Sequence, residues 1–237
     1  MFCFQCQETA KGTGCTVRGV CGKLPETSRW QDLLLSVVRG AGTIGHALSE
    51  AGVAYDKVPV GDMIVDALFT TITNANFDDS AILEKVDRAI AIKKQLLLIA
   101  KDKGVSLPDY QEVKWGGEKA DYRAEGDRES ILRNEDADLR SLKELTVLGL
   151  KGMAAYYEHA SHLNQRNEAI IDFMMKALGI ISDPSADMDT LLATVLETGK
   201  FGVDAMALLD KANTTAYGNP ELTRVNIGVG KNPGILI

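Results

Sequence analysis

No cysteine follows residue 21 in this chain of 237 residues. That excludes a disulfide frame running through a folded domain, because the rest of the chain offers no partner thiol. No apolar run approaches the ~18–20 residues that cross a bilayer. The opening Met1-Phe2-Cys3-Phe4-Gln5-Cys6 lacks the basic start, apolar stretch and small-residue cleavage site of a secretory signal. The expected setting is therefore the cytoplasm, with no membrane partner. An excess of positive charge is also missing. The formal net charge is −7, which argues against a general nucleic-acid surface. No internal repeat stands out. What is present is a composition of 45% hydrophobic and 25% charged residues, enough for one large domain or two small ones with a buried core.

The four cysteines are Cys3, Cys6, Cys15 and Cys21. In a reducing compartment such a cluster reads as a metal site rather than as two disulfides. Four thiolates from one short segment suit either a structural zinc ion or a cubane [4Fe–4S] cluster. Only the first pair has the short Cys-x-x-Cys spacing of a zinc knuckle, and the wider later spacings favour the bulkier cluster. Gly12, Gly14, Gly19 and Gly22 lie in or beside the loop, where they let backbone amides approach sulfur. Phe2 and Phe4 can shield one side. Lys11, Arg18 and Lys23 outnumber Glu8 and make the segment locally positive, which favours thiolate.

The rest of the chain reads as mainly α. Pro25 with Thr27 or Ser28 opens a first helix, in which Trp30, Leu33, Leu34, Val37, Ala41, Ile44 and Leu48 keep a 3.6-residue period up to Gly52. A second helix starts near Asp62 and a third near Asp78, ending at Gly104. Residues 105–136 are rich in glycine and charge and read as a long connection or an extended arm, with the acidic part from Asp127 to Asp138 a solvated surface. A second helical group covers 137–163, 166–178 and 187–216, the last interrupted at Gly199 and Gly202. The expected organisation is a cysteine segment at 1–25, a three-helix bundle at 26–104, the connection at 105–136, and a second three-helix bundle at 137–217. The β-prone residues 222–227 and 235–237 place the start of a truncated α/β domain at 218–237.

Three other patterns carry bland readings. Gly40-Ala-Gly42-Thr-Ile-Gly45 fits a dinucleotide fingerprint, but the unbroken apolar period makes these glycines packing positions within one helix. Gly228-Val-Gly-Lys231 lacks the hydroxyl residue of a phosphate loop. Glu158-His159-Ala-Ser-His162 puts two histidines one helical turn apart beside a carboxylate and reads as a solvated or locally hydrogen-bonded pair, while His46 reads as structural.

The cysteine segment Met1-Phe-Cys-Phe-Gln-Cys-Gln-Glu-Thr-Ala10, with Gly14-Cys-Thr-Val-Arg-Gly-Val-Cys-Gly22, resembles the opening of the hybrid cluster proteins, also called prismane proteins or hydroxylamine reductases. The resemblance continues through Gly149-Leu-Lys-Gly-Met-Ala-Ala-Tyr156, Leu208-Leu-Asp-Lys-Ala-Asn213 and Gly228-Val-Gly-Lys-Asn-Pro-Gly-Ile-Leu-Ile237. It implies a [4Fe–4S] cubane ligated by Cys3, Cys6, Cys15 and Cys21. It also implies two α/β domains beyond this chain, which carry the hybrid iron–sulfur–oxygen cluster that reduces hydroxylamine to ammonia, with nitric oxide a further substrate. None of the hybrid-cluster ligands can be matched here. The resemblance therefore implies an electron-transfer domain, served by a small redox donor, that has no reductase activity alone. A helical piece without its partner domains is expected to self-associate through residues 235–237. The alternative from a different class is a zinc-stapled helical scaffold.

Overall fold

The computed structural model describes residues 1–72, 76–222 and 224. The described residues carry eight α-helices and no sheet, so the mainly-α expectation holds. The helices are α1 (Pro25–Glu50), α2 (Val58–Thr70), α3 (Asp79–Lys103), α4 (Gln111–Lys114), α5 (Tyr122–Arg128), α6 (Ala137–His162), α7 (Glu168–Ser182) and α8 (Met188–Tyr217). None of the described helices is long and apolar enough to cross a membrane. Residues 225–237, with most of the expected C-terminal β segment and the Gly228–Lys231 pattern, lie outside the described residues.

Helix ends follow local chemistry. Asp78 accepts from the amides of Ser80 (2.9 Å) and Ala81 (3.1 Å) to start α3, and Gly104, at φ 66°, ends it. Asp136, Asn167 and Asp187 cap α6, α7 and α8 in the same way. α1 starts differently from the expectation. Pro25 is its first residue and Leu24 precedes it, because the missing proline N–H costs nothing in the first turn. Thr27 and Ser28 are buried inside the helix instead.

α1 is the central element. It packs against α2 and α3 of the first group and against α7 of the second. The glycines that mimic a dinucleotide fingerprint make this possible. A Cβ at Gly42 would stand 2.8 Å from Leu178, and one at Gly45 would stand 2.5 Å from the Met175 sulfur, both on α7. The two helical groups consequently share one continuous core, running from Leu33 and Val37 through Ile64, Val86 and Leu150 to Met174 and Leu178. α6 and α8 both run antiparallel to α7: Lys143 and Tyr157 of α6 meet Asp183 and Asn167, and Phe173 stacks on Phe201 at 4.3 Å.

Two expectations are corrected here. α8 passes through Gly199 and Gly202 without a break. Each glycine costs a helix only about 1 kcal/mol, while Leu191, Thr194, Thr198 and Ala205 are buried along its inner face. The segment 105–136 does not extend away. It forms α4, α5 and two short 3-10 turns, and α4 and α5 pack on α1. Its acidic part is not wholly solvated, since Glu129 is buried and bonds Arg39, Arg128 and Arg133.

Candidate metal centre

The cysteine loop lies ahead of α1 and is shaped by backbone bonds. Cys3 and Cys15 form an isolated antiparallel bridge, with N···O distances of 3.0 and 2.8 Å. Between them the chain turns through a 3-10 segment, Ala10–Gly12, in which Lys11 (φ 56°) and Gly12 (φ 68°) are left-handed. That turn aims the Ala10 amide at the Cys15 sulfur, 3.4 Å away, and the Thr9 hydroxyl lies 3.7 Å from the same sulfur. The Ala10 amide, and after it the Val20 amide and the Thr9 hydroxyl, hold the Cys15 thiol below its ordinary value. These contacts favour the thiolate, the form that binds metal.

A second turn follows. Gly19 N–H donates to the Lys23 carbonyl at 2.9 Å, and Gly22 N–H donates to Gly19 at 2.9 Å. Gly22 sits at φ 95°. A Cβ on Gly19 would lie 3.0 Å from the Cys21 sulfur, so the missing side chain is what lets this thiol fold back onto the loop. Phe2 covers Gly14 so closely that a Cβ there would meet its ring at 2.5 Å, and the Phe4 ring is 5.9 Å from that of Phe2.

All four cysteines are free thiols. Cys15 is buried, Cys3 and Cys6 are half-buried, and Cys21 is exposed. The loop brings Cys3 and Cys15 together through the bridge and sets the Val20 amide, next to Cys21, against Cys15. It does not gather three or more side chains of His, Cys, Asp or Glu to metal-holding distance among the described residues. The fit to a metal group rests on the donor set itself. It consists of four free thiols on one loop, one of them shifted toward thiolate by backbone amides, with a glycine where a sulfur needs room.

Buried cations anchor the loop to the helices. Lys151 of α6 donates to the Gln5 side chain at 3.2 Å and to the Thr71 carbonyl at 3.0 Å. Lys23 donates to Gln31 at 2.6 Å. Burial holds Lys151 down at about 8 and pushes the carboxyl of Asp32 up to about 8. Both line a small cavity of about 50 Å³ whose wall includes Cys3 and Gln5. Sequence reading picked out Lys23 as part of the locally positive segment, but not Lys151 or Asp32. Lys151 gave a signal, since it follows Val147 by four positions and precedes Ala154 by three, on the buried face of α6. The histidine expectations agree with the structure. His162 stands 3.6 Å from Glu158, and His159 packs edge-on to Phe69 at 5.8 Å. His46 is half-buried, and burial lowers its pKa.

The family model for Prismane/CO dehydrogenase matches residues 1–237. The chain belongs to the Prismane/CO dehydrogenase family. Curated members similar to it include proteins named hydroxylamine reductase. That of Bacteroides fragilis (strain YCH46) is 49% identical over 240 residues, covering 100% of this chain and 42% of the relative. That of Desulfitobacterium hafniense is 48% identical, again over 100% of this chain and 43% of the relative. That of Caldanaerobacter subterraneus is 45% identical, over 100% of this chain and 44% of the relative. The chain thus spans less than half the length of these family members.

Proposed function

We propose that this chain is the electron-transfer part of a hydroxylamine reductase, holding a [4Fe–4S] cluster on Cys3, Cys6, Cys15 and Cys21. The observation that carries this reading is the Cys15 thiol, drawn toward thiolate by the Ala10 amide on a loop that holds all four cysteines of a Prismane/CO dehydrogenase family chain. When bound, such a cluster supplies one-electron storage and transfer. The protein's own contribution is local. The Ala10 and Val20 amides stabilise charge on sulfur, Phe2 and Phe4 cover the loop against water, and Lys151 and Lys23 fix it to the helices beneath. Sulfur hydrogen bonding and burial are the usual means of tuning a cluster's potential.

The reduction of hydroxylamine to ammonia, with nitric oxide as a further substrate, belongs in this reading to the portion of the longer relatives that this chain does not cover. A small redox protein is the electron donor. A reducing cytoplasm is the compartment in which four such thiols persist.

The test is anaerobic purification of the 237-residue chain with metal analysis and a hydroxylamine assay. The proposal expects a brown protein with broad absorption near ~400 nm, about four irons per chain and no hydroxylamine turnover. A colourless protein with one zinc would instead support the stapled scaffold, and turnover by this chain alone would overturn the division of labour.

A further inference from the structure

A cavity of about 440 Å³ opens between the first turns of α6, α4 and the C-terminal end of α7. Its polar side is built on ion pairs. Glu112, Glu125 and Glu129 are buried, and a buried carboxylate left unpaired would cost several kcal/mol. Each is matched. Arg133 bonds Glu112 and Glu129, Arg128 bonds Glu125 at 2.7 Å as well as Glu129, and Arg39 bonds Glu129. Three guanidinium groups thus balance three carboxylates.

Two further cations line the cavity and stand outside that balance. Arg140 Nη1 donates only to the Asn134 carbonyl, at 2.8 Å, and Lys143 Nζ only to the Asp183 carbonyl, at 2.7 Å. Neither has a carboxylate partner among the described residues. The nearby acids are occupied or weakened. Asp109 pairs with Lys114, and the Asp183 carboxylate is held by Ser185 N and Oγ, both at 2.7 Å. Burial raises the pKa of the Glu144 carboxyl, against Arg39, Lys151 and Arg133, which lower it, and Glu135 is exposed to solvent. Burial, followed by Arg133, holds Lys143 below the usual lysine range, against the opposing pull of Asp183 and Glu112. Arg39 Nε, on the same lining, is a buried donor with no partner. Leu139, Val147 and Ile181 give the cavity an apolar stretch of wall, beside polar groups such as Gln111, Asn134 and Ser182.

We infer that this cavity binds a small organic anion, with its carboxylate or phosphate held by Arg140 and Lys143 and its apolar body against Leu139, Val147 and Ile181. The volume lies within the usual range for small-molecule sites, and the pattern of an apolar wall with a few converging charges is the one such sites show. Guanidinium and ammonium donors give charge-assisted bonds to such oxygens. The site uses neither the cysteines nor anything they bind, so its success or failure is independent of the proposed electron-transfer role.

The experiment is calorimetric titration of the 237-residue chain at low salt with two probes, inorganic phosphate and benzoate, which separate the phosphate and carboxylate cases. The expected result is saturable one-site binding of at least one probe. Arg140→Gln combined with Lys143→Gln should weaken it by about tenfold or more, about 1.4 kcal/mol, while Lys211→Gln, an exposed site on α8, leaves it unchanged. If the double variant loses its helical spectrum, Arg140→Gln alone is titrated in its place, because that side chain gives up a single carbonyl bond. Absence of saturable binding by either probe, or equal affinity in a folded charge-removed variant, overturns the inference.

Discussion

Gly40 shows how one missing side chain organises its surroundings. A Cβ at this position would lie 2.0 Å from the Glu112 carbonyl oxygen and 2.7 Å from its carbon, both backbone atoms that cannot swing aside. The same carbonyl accepts from the buried ammonium of Lys93, which also donates to the Trp115 carbonyl at 2.9 Å. Gly40→Ala should therefore destabilise the chain by about 1–3 kcal/mol, as overpacked cores do. Urea unfolding measures this, and an unchanged midpoint would contradict it.

Lys93 itself gives a pH prediction. Burial holds its pKa at about 8 against an ordinary 10.5. Between those values the unfolded chain binds more protons than the folded one, so the stability contributed here is flat below pH 8 and rises above it. Comparing unfolding free energies of the wild type and Lys93→Met from pH 7 to 10 should show the difference shifting in favour of the wild type by up to about 3 kcal/mol. A pH-independent difference would refute it.

The four cysteines stand out in the sequence because their grouping is local. The buried partners Glu129, Lys93 and Lys151 do not, because their burial depends on contacts from distant helices.

The helices were legible where capping chemistry is local. Asp78 and Gly104 marked the ends of α3 correctly, and Gly52 marked the end of α1. Asp78→Ala should cost about 1 kcal/mol by freeing two amides of the first turn. α8 was misread because sequence alone weighs a glycine without the surface that the helix covers. A Cβ at Gly199 or Gly202 meets nothing within 4 Å, and both positions are helical. Gly199→Ala and Gly202→Ala should each stabilise the chain by about 0.5–1 kcal/mol, read as a raised melting temperature. A lowered melting temperature would mean that α8 needs a break there. Residues 105–136 were read as a connection because α4 and α5 are too short to show a period. They are held instead by ion pairs such as Arg29 with Asp127 and Arg128 with Glu125.

Two helical groups were expected, and the whole molecule joins them through α1 and a single core. Leu178 sits at that junction, fully buried and seated on Gly42. Leu178→Ala should cost about 2–5 kcal/mol and keep one cooperative transition by both circular dichroism and tryptophan fluorescence. Two separated transitions would show that the groups fold independently.

Electron paramagnetic resonance of the anaerobically purified, dithionite-reduced chain shows whether the loop in front of this core holds an iron–sulfur cluster. A reversible one-electron iron–sulfur signal that disappears in Cys15→Ser, while the helical spectrum is kept, is the predicted result. A chain that stays silent on reduction and carries a single zinc would contradict the account.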